Sequence, residues 1–137
     1  MHVKLLPGLN ARGNYTYING TEFTQSRRTF ADTAYTYLLR RPAHRANLAL
    51  SYAKEGSPFS ATLSGMYVSR RFDAGGFRAK DVQLDGYFLL NAVAAWNPNK
   101  WLQVFADVQN LTNTRFFDLR GFNSIPLLLS IGCSVEW

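Results

Sequence analysis

The sequence has 137 residues, a formal net charge of +6 at pH 7 and 15% aromatic residues, and its mean hydropathy is -0.16. This length limits the chain to one domain or part of one. No run approaches 18 consecutive apolar residues, which excludes a transmembrane helix. It does not exclude a membrane strand, because a lipid-facing barrel strand is apolar only at every second position. Cys133 is the only cysteine, so an intrachain disulfide is also excluded.

Apolar and polar residues alternate with a period of two along most of the chain, which predicts strands and almost no helix. In chain order the predicted strands cover about 8–17, 45–52, 59–68, 90–96, 102–109 and 127–137. The polar series holds Ser, Thr, Asn and Gln more than Lys and Glu, which favours a water-filled barrel lumen over the solvent face of a soluble sheet. The predicted fold is all-β, an antiparallel meander of about six strands that forms part of a transmembrane β-barrel.

The same alternation predicts which side chains share a face. The outer, convex face is expected to carry Leu48, Leu50, Leu63, Leu90, Ala92, Val104, Ala106, Leu129, Ile131 and Val135. The inner, concave face is expected to carry Asn91, Gln103, Asp107, Gln109, Ser130 and Glu136. An apolar set packed into a closed interior would instead favour a soluble module.

The predicted connections alternate between short and long. Tight turns are expected at 54–58 and 97–100, where Gly, Asn and Pro supply turn chemistry. Long polar segments cover 18–43, 70–86 and 112–126. Outer-membrane barrels have this rhythm, with the short turns on the periplasmic side.

Five aromatic residues are predicted to lie at the short-turn end of the sheet. They are Tyr52, Phe59, Trp96, Trp101 and Trp137. Amphipathic rings prefer the membrane–water interface, so this set predicts an interfacial girdle. The alternative is that the rings cap the end of a soluble core.

The last eight residues resemble the signal by which the outer-membrane assembly machinery recognises the final strand of its clients. The residues that carry this likeness are Ser130, Gly132, Val135 and Trp137. An exposed strand edge can add to another sheet edge through main-chain hydrogen bonds, and alternate side chains set the specificity. Gly132 is expected to let the neighbouring backbone approach closely.

Three further segments resemble the late strands of TonB-dependent outer-membrane receptors, in the order and spacing of that family. They are RRPAH at 40–44, VQLDGY at 82–87 and VQNLTN at 108–113, the last leading to FFD at 116–118. Thr112 departs from the pattern, because the family usually has an aromatic residue there. The resemblance covers nearly the whole chain.

The resemblance implies a bacterial outer-membrane receptor that imports a scarce nutrient, namely a ferric siderophore, cobalamin or haem. The family has a plug domain inside its barrel and draws energy from TonB. Residues 1–137 are therefore expected to be the C-terminal segment of such a barrel, from a parent that also holds the plug and the remaining strands. The implied partners are outer-membrane lipid, the assembly machinery through the last strand, TonB through the plug, and a small-molecule substrate.

Basic residues concentrate in the long segments, among them Arg27. The candidate ligand contacts in the extracellular loops are Arg70, Arg71, Arg78, Arg115 and Arg120. Arginine pairs bidentately with carboxylate or phosphate, so they fit an anionic ligand at the mouth of a pore, and the alternative is solvated charge facing anionic lipopolysaccharide. Nucleic-acid binding is not expected, since the aromatic residues belong mostly to the opposite end of the sheet.

The sequence predicts neither a catalytic centre nor a cofactor or metal site. His2, His44 and Cys133 do not fall into a cluster with metal-ligand spacing, so an enzyme is not expected. Two other classes of protein stay open. One is a complete small outer-membrane barrel, closed by a strand within 21–38 or by oligomerisation, and the other is a soluble β-sheet binding module.

Overall fold

The computed structural model describes residues 1–26 and 28–137, so Arg27 lies outside the described residues. These residues contain no helix with the length and apolarity that a membrane span requires. The strands are β1 (His2–Leu6), β2 (Leu9–Tyr17), β3 (Glu22–Gln25), β4 (Asp32–Tyr35), β5 (His44–Ala53), β6 (Phe59–Val68), β7 (Arg71–Asp73), β8 (Val82–Leu84), β9 (Tyr87–Asn99), β10 (Leu102–Gln109) and β11 (Leu128–Val135).

Seven of these strands form one antiparallel sheet in the order β1-β2-β5-β6-β9-β10-β11. This order confirms the predicted meander, with one strand more than the six expected. The additional strand is β1, where Val3 lies opposite Ala11 and Lys4 lies opposite Asn10. Its five residues are too few for alternation to be recognised, and the pairing with β2 is what orders them. Among the described residues β1 and β11 each have one strand neighbour, so this sheet is open.

The strand register divides the sheet into one apolar and one polar face. Leu50 lies opposite Leu63, and Leu63 lies opposite Ala92. The row continues across the sheet, because Ala92 lies opposite Val108 and Val108 lies opposite Leu129. Directly opposed residues of an antiparallel pair share a face. All the residues predicted for the outer set lie on this face, and the predicted polar set follows the opposite alternation.

The apolar face is exposed. Leu48 is 56% exposed and Ile131 is 70% exposed. Among the described residues the buried hydrophobic side chains are Val68, Leu84 and Tyr87, which lie near the long-segment end of the sheet. A soluble sheet would cover its apolar face with a second layer. No residue of the predicted outer set is buried, which fits a sheet that is covered by lipid and counts against the soluble module.

The second short turn differs from its prediction. β9 continues through Asn99, and the turn consists of Lys100 and Trp101. Trp96 lies opposite Val104 whereas Asn99 lies opposite Leu102, so β9 holds one extra residue in a bulge. A bulge tolerates proline, which has no N–H to give to the ladder, and this explains how Pro98 lies inside a strand rather than in the turn.

The long segments are more ordered than the sequence predicts. β3 and β4 pair with each other within 18–43, and β7 and β8 pair within 70–86. Leu39 forms an isolated parallel bridge with Phe72, which joins the two segments. Because β3 and β4 pair only with each other, the segment 21–38 does not close the main sheet. This argues against a small complete barrel that is closed by a strand from that segment.

The atoms nearest to the position of a Cβ at Gly132 belong to the Phe105 side chain. It lies opposite Phe105 on the polar face of the β10–β11 pair. A Cβ atom built at Gly132 would lie 2.4 Å from Cζ of the Phe105 ring. The ring therefore covers the glycine, as aromatic residues do beside glycines in edge strands.

We expect Gly132→Ala to lower the free energy of unfolding by about 1–3 kcal/mol, because the added methyl group overpacks against the Phe105 ring. Urea titration of the folded protein in detergent measures this loss. The double variant Gly132→Ala with Phe105→Leu is the control, since a smaller side chain makes room for the methyl group. Equal stability of the wild type and the single variant would contradict this packing.

Candidate functional site

Three of the predicted interfacial aromatic residues share the apolar face at the short-turn end. Phe59 lies opposite Trp96, and their rings stack with centroids 6.1 Å apart and an interplanar angle of 11°. Tyr52 lies opposite Ala61 on the same face. These rings are 37–56% exposed, as is expected of side chains that face lipid at the edge of a membrane.

Trp101 and Trp137 lie at the same end but are placed differently. Trp101 belongs to the turn, and the Nζ atom of Lys100 lies 4.6 Å from the centroid of its ring. By the alternation of β10, Trp101 lies on the same side as Gln103, which is the polar face, whereas Trp96 lies on the apolar face. Trp137 follows β11 and is fully exposed, and the N–H of Glu136 donates to the carbonyl of Trp101 at 2.9 Å.

A second group of rings, which the sequence reasoning missed, lies at the other end of the apolar face. Tyr67 lies opposite Ala46 and Phe88, and Tyr17 lies opposite His44. We call the group the upper belt. It consists of Tyr15, Tyr17, His44, Tyr67 and Phe88. The sequence did contain a signal for the upper belt, because each of its residues continues the period-two pattern of its strand beyond the aliphatic positions.

The two aromatic groups are separated by a distance that suits a membrane. Phe59 and Tyr67 are the first and ninth residues of β6. Eight steps along a strand cover roughly 26 Å, and a strand tilt of about 40° reduces this to roughly 20 Å along the membrane normal. The apolar band of outer-membrane barrels is about 25 Å tall. The apolar face thus has aromatic residues at both ends of a band of membrane dimensions.

Asn110 anchors the last long segment over the polar face. Its backbone N–H donates to the side-chain Oδ1 of Asn91 at 2.9 Å. Its Nδ2 donates to the carbonyls of Thr114 and Ile125, both at 2.9 Å. Asn110 is 5% exposed and has a φ of 50°, a conformation that asparagine tolerates better than most residues. Asn110 of the VQNLTN motif therefore holds this segment against the end of the sheet.

Arg71 links the β7–β8 hairpin to the same segment. Its Nη2 donates to Oδ1 of Asp118 at 2.8 Å and to the carbonyl of Phe117 at 2.9 Å. The Tyr87 hydroxyl also donates to Oδ1 of Asp118, at 3.0 Å, and the Tyr87 ring stacks on Phe116. The Arg71 side chain is only 3% exposed, so this guanidinium serves mainly to join the two segments.

Asp73 joins all three long segments. Its Oδ1 accepts from Nε of Arg40 at 2.6 Å and from the N–H of Ala74 at 2.8 Å, and its Oδ2 accepts from the N–H of Arg120 at 2.8 Å. The Arg120 side chain reaches the carbonyl of Gly75. The Arg120 N–H lowers the pKa of the Asp73 carboxyl, burial opposes that shift, and Arg40 and the Ala74 N–H lower it further.

The predicted ligand-contacting arginines divide into two groups. Arg71 and Arg120 bind other segments through the contacts above. Arg70, Arg78 and Arg115 are exposed. Arg78 lies at a loop tip with its Cζ 5.8 Å from the Phe30 ring centroid and 5.4 Å from that of Phe77. The exposed cations and rings lie at the long-segment end, on three segments that Asp73 holds together.

No group of three or more His, Cys, Asp or Glu side chains in residues 1–26 and 28–137 could hold a metal ion. Cys133 is a free, exposed thiol opposite Val104 on the apolar face. The arrangement provides a cationic and aromatic surface at one end and an apolar band below it, which suit binding and membrane contact.

The family model for the TonB-dependent receptor-like β-barrel matches residues 4–111. The chain belongs to this family. The match covers most of the chain and confirms the resemblance that the late-strand motifs carried. TonB-dependent receptors are outer-membrane transport receptors, so the family is one of receptors and not of enzymes.

Solved TonB-dependent receptors share the fold of the chain. The pyoverdine outer membrane receptor FpvA from Pseudomonas aeruginosa PAO1 matches with a TM-score of 0.75 and 15% identity, over 97% of this chain and 20% of the receptor. The ferric-catecholate import receptor Fiu from E. coli K12 matches with a TM-score of 0.71 and 18% identity, over 97% and 19%. The ferric yersiniabactin uptake receptor FyuA from Yersinia pestis matches with a TM-score of 0.64 and 13% identity, over 99% and 22%.

The chain thus spans about a fifth of the length of the solved receptors that it matches. Identities below a fifth show the fold alone. No curated protein matches the chain by sequence.

Proposed function

We propose that the chain is the C-terminal part of the barrel of an outer-membrane receptor that imports a ferric siderophore with energy from TonB. The observation that carries the proposal is the barrel-family match over residues 4–111. Cobalamin and haem are the other substrate classes that the family implies. The three solved structural relatives favour a siderophore, since their names refer to pyoverdine, ferric catecholate and ferric yersiniabactin.

The long-segment end supports an anionic substrate. Arg78 and Arg115 are exposed there, and the Phe30 and Phe77 rings flank the Arg78 guanidinium. A guanidinium beside aromatic rings can bind a flat anionic group through its charge and through stacking. Ferric siderophores of the catecholate class present such groups.

In this proposal residues 1–137 supply the last strands of the parent barrel, and the plug that binds TonB belongs to the rest of the parent. The apolar face contacts lipid. The polar face, which carries Asn91, Gln103 and Asp107, lines the lumen.

Uptake of radioactive iron tests the function. We expect the full-length parent, expressed in a strain without its own siderophore receptors, to restore uptake from at least one ferric siderophore. The uptake should vanish in a matched strain without TonB. Uptake of cobalamin or haem alone would reassign the substrate class, and uptake that persists without TonB would contradict the proposal.

The residues Ser130, Gly132, Val135 and Trp137 are proposed as the assembly signal. We expect deletion of Trp137, or Trp137→Asp, to lower the amount of inserted parent receptor several-fold. An indole at the interface places its apolar body in lipid and its N–H in water, and the assembly machinery would bind β11 through its free edge. Heat-modifiability on gels and surface protease access measure insertion.

Glu136→Gln is the matched control for Trp137. Glu136 follows the alternation of Ser134 and Ser130, so its side chain belongs to the polar face. We expect this variant to insert like the wild type. Equal insertion of the wild type and the Trp137 deletion would refute the assembly-signal role and leave Trp137 as one interfacial ring among several.

A further inference from the structure

A cavity of about 580 Å³ lies beside the upper belt, between the segment before β5 and the β7–β8 hairpin. We call it the rim pocket. The residues that matter for its chemistry are Arg41, His44, Tyr67, Arg70, Arg71 and Asp85. Arg41 and His44 belong to the RRPAH segment and Asp85 to the VQLDGY segment, and the proposed substrate surface at Arg78 and Arg115 lies outside the pocket.

The rim pocket opens on the lipid side of the sheet. His44 and Tyr67 line it, and both follow the alternation of the apolar face. The His44 ring packs against Tyr17, with centroids 5.1 Å apart, and this places it within the upper belt. On the lumen side the same level is covered, because Val68 and Tyr87 are buried there and Phe116 stacks on Tyr87.

The charge of the rim pocket is unbalanced. The guanidinium groups of Arg41 and Arg70 are exposed and form no ion pair within the described part of the chain. Arg71 also lines the pocket, but its guanidinium is paired with Asp118 and lies 5.4 Å from the centroid of the Tyr87 ring, so its charge is already balanced. Asp85 is the opposing carboxylate, and the two exposed arginines outnumber it.

We propose that the rim pocket binds a phosphate group of a phosphorylated glycolipid headgroup in the outer leaflet. A headgroup lies at the height of interfacial aromatic residues, immediately above the apolar band. Phosphate takes the bidentate geometry that guanidinium groups offer, and Arg41 and Arg70 approach it from two different segments. The bound lipid would hold the segment before β5 against the β7–β8 hairpin.

Native mass spectrometry of the full-length parent, purified from outer membranes and exchanged into nanodiscs with lipid A, tests the proposal. We expect wild-type protein to retain lipid A, and the double variant Arg41→Ala with Arg70→Ala to retain at least about tenfold less. The matched control is Arg78→Ala with Arg115→Ala, which removes the same charge from exposed positions outside the pocket and should retain lipid A fully. Heat-modifiability confirms that both variants are folded.

Two further arms identify the source of the phosphate. Dephosphorylated lipid A should bind the wild type and the Arg41/Arg70 variant equally weakly, and inorganic phosphate should not displace lipid A. Displacement by inorganic phosphate at comparable concentration, or equal retention of lipid A by wild type and variant, would overturn the proposal.

Siderophore uptake is scored on the same variants. Loss of lipid A with uptake retained supports a lipid site on the outer surface. Loss of uptake with lipid A retained would assign Arg41 and Arg70 to the substrate and overturn the proposal. Because lipid A retention is measured without substrate, failure of the proposed uptake function leaves this result unaffected.

Discussion

Leu63→Arg is expected to destabilise the inserted parent barrel by about 2–4 kcal/mol, because it places a charge on the lipid face near the centre of the bilayer. Leu63 is 41% exposed on the apolar face, halfway between Phe59 and Tyr67 in β6. Its cross-strand partners are Leu50 and the smaller Ala92. Urea titration in lipid vesicles measures the loss.

Ser64→Arg is the matched control for Leu63→Arg. Ser64 is the next residue of β6 and lies opposite Asn91 on the polar face. We expect it to cost less than about 1 kcal/mol, since a charge in a water-filled lumen keeps its hydration. Equal losses for the two variants would mean that the apolar face is not the lipid face, and the assignment of the two faces would then fall.

Asp73→Ala is expected to raise the population of open long segments, at a local cost of about 2–3 kcal/mol. Removing the carboxylate leaves the N–H groups of Ala74 and Arg120 without their acceptor and frees Arg40. Hydrogen exchange of these segments in the full-length parent measures the effect, and barrel stability should change little. Asp32→Asn, which alters an exposed carboxylate in β4, should leave the exchange unchanged.

The pH dependence of the same contact has a definite sign. The pKa of Asp73 is held below its ordinary value of 3.8, chiefly by the Arg120 N–H. A carboxyl with a lowered pKa contributes its full stability above its ordinary pKa, and loses it as the pH falls through the lowered value. We therefore expect constant protection of the wild-type segments near neutral pH and opening only in acid. In Asp73→Ala the protection of these segments should not fall further in acid. A loss of protection in acid as large as that of the wild type would show that another group is responsible.

The period-two pattern was sufficient to predict the main-sheet strands from 45 onward and the two faces of that sheet, but not the short hairpin of β7 and β8. A strand exposed to lipid on one side must alternate in this way, so the signal is local and strong. The same pattern underestimated β9, because Pro98 ends a strand in most contexts and a bulge is needed to accommodate it. It missed β1 because five residues give too few alternations.

The roles of the charged residues required the tertiary structure. Arg70 and Arg71 are adjacent in sequence, yet Arg70 is exposed and Arg71 is 5% exposed. What distinguishes them is Asp118, which lies 47 residues further along the chain. Sequence alone could not predict that pairing, since no local pattern connects the two positions.

The sequence by itself determined the fold class, the sidedness of the sheet and the family, because each rests on local alternation or on short motifs. The tertiary structure decided which cations are free, how the three long segments are fastened at Asp73, and where the rim pocket opens. These features depend on contacts between segments that are distant in sequence. Those contacts form only after the strands have brought the long segments together at one end of the sheet.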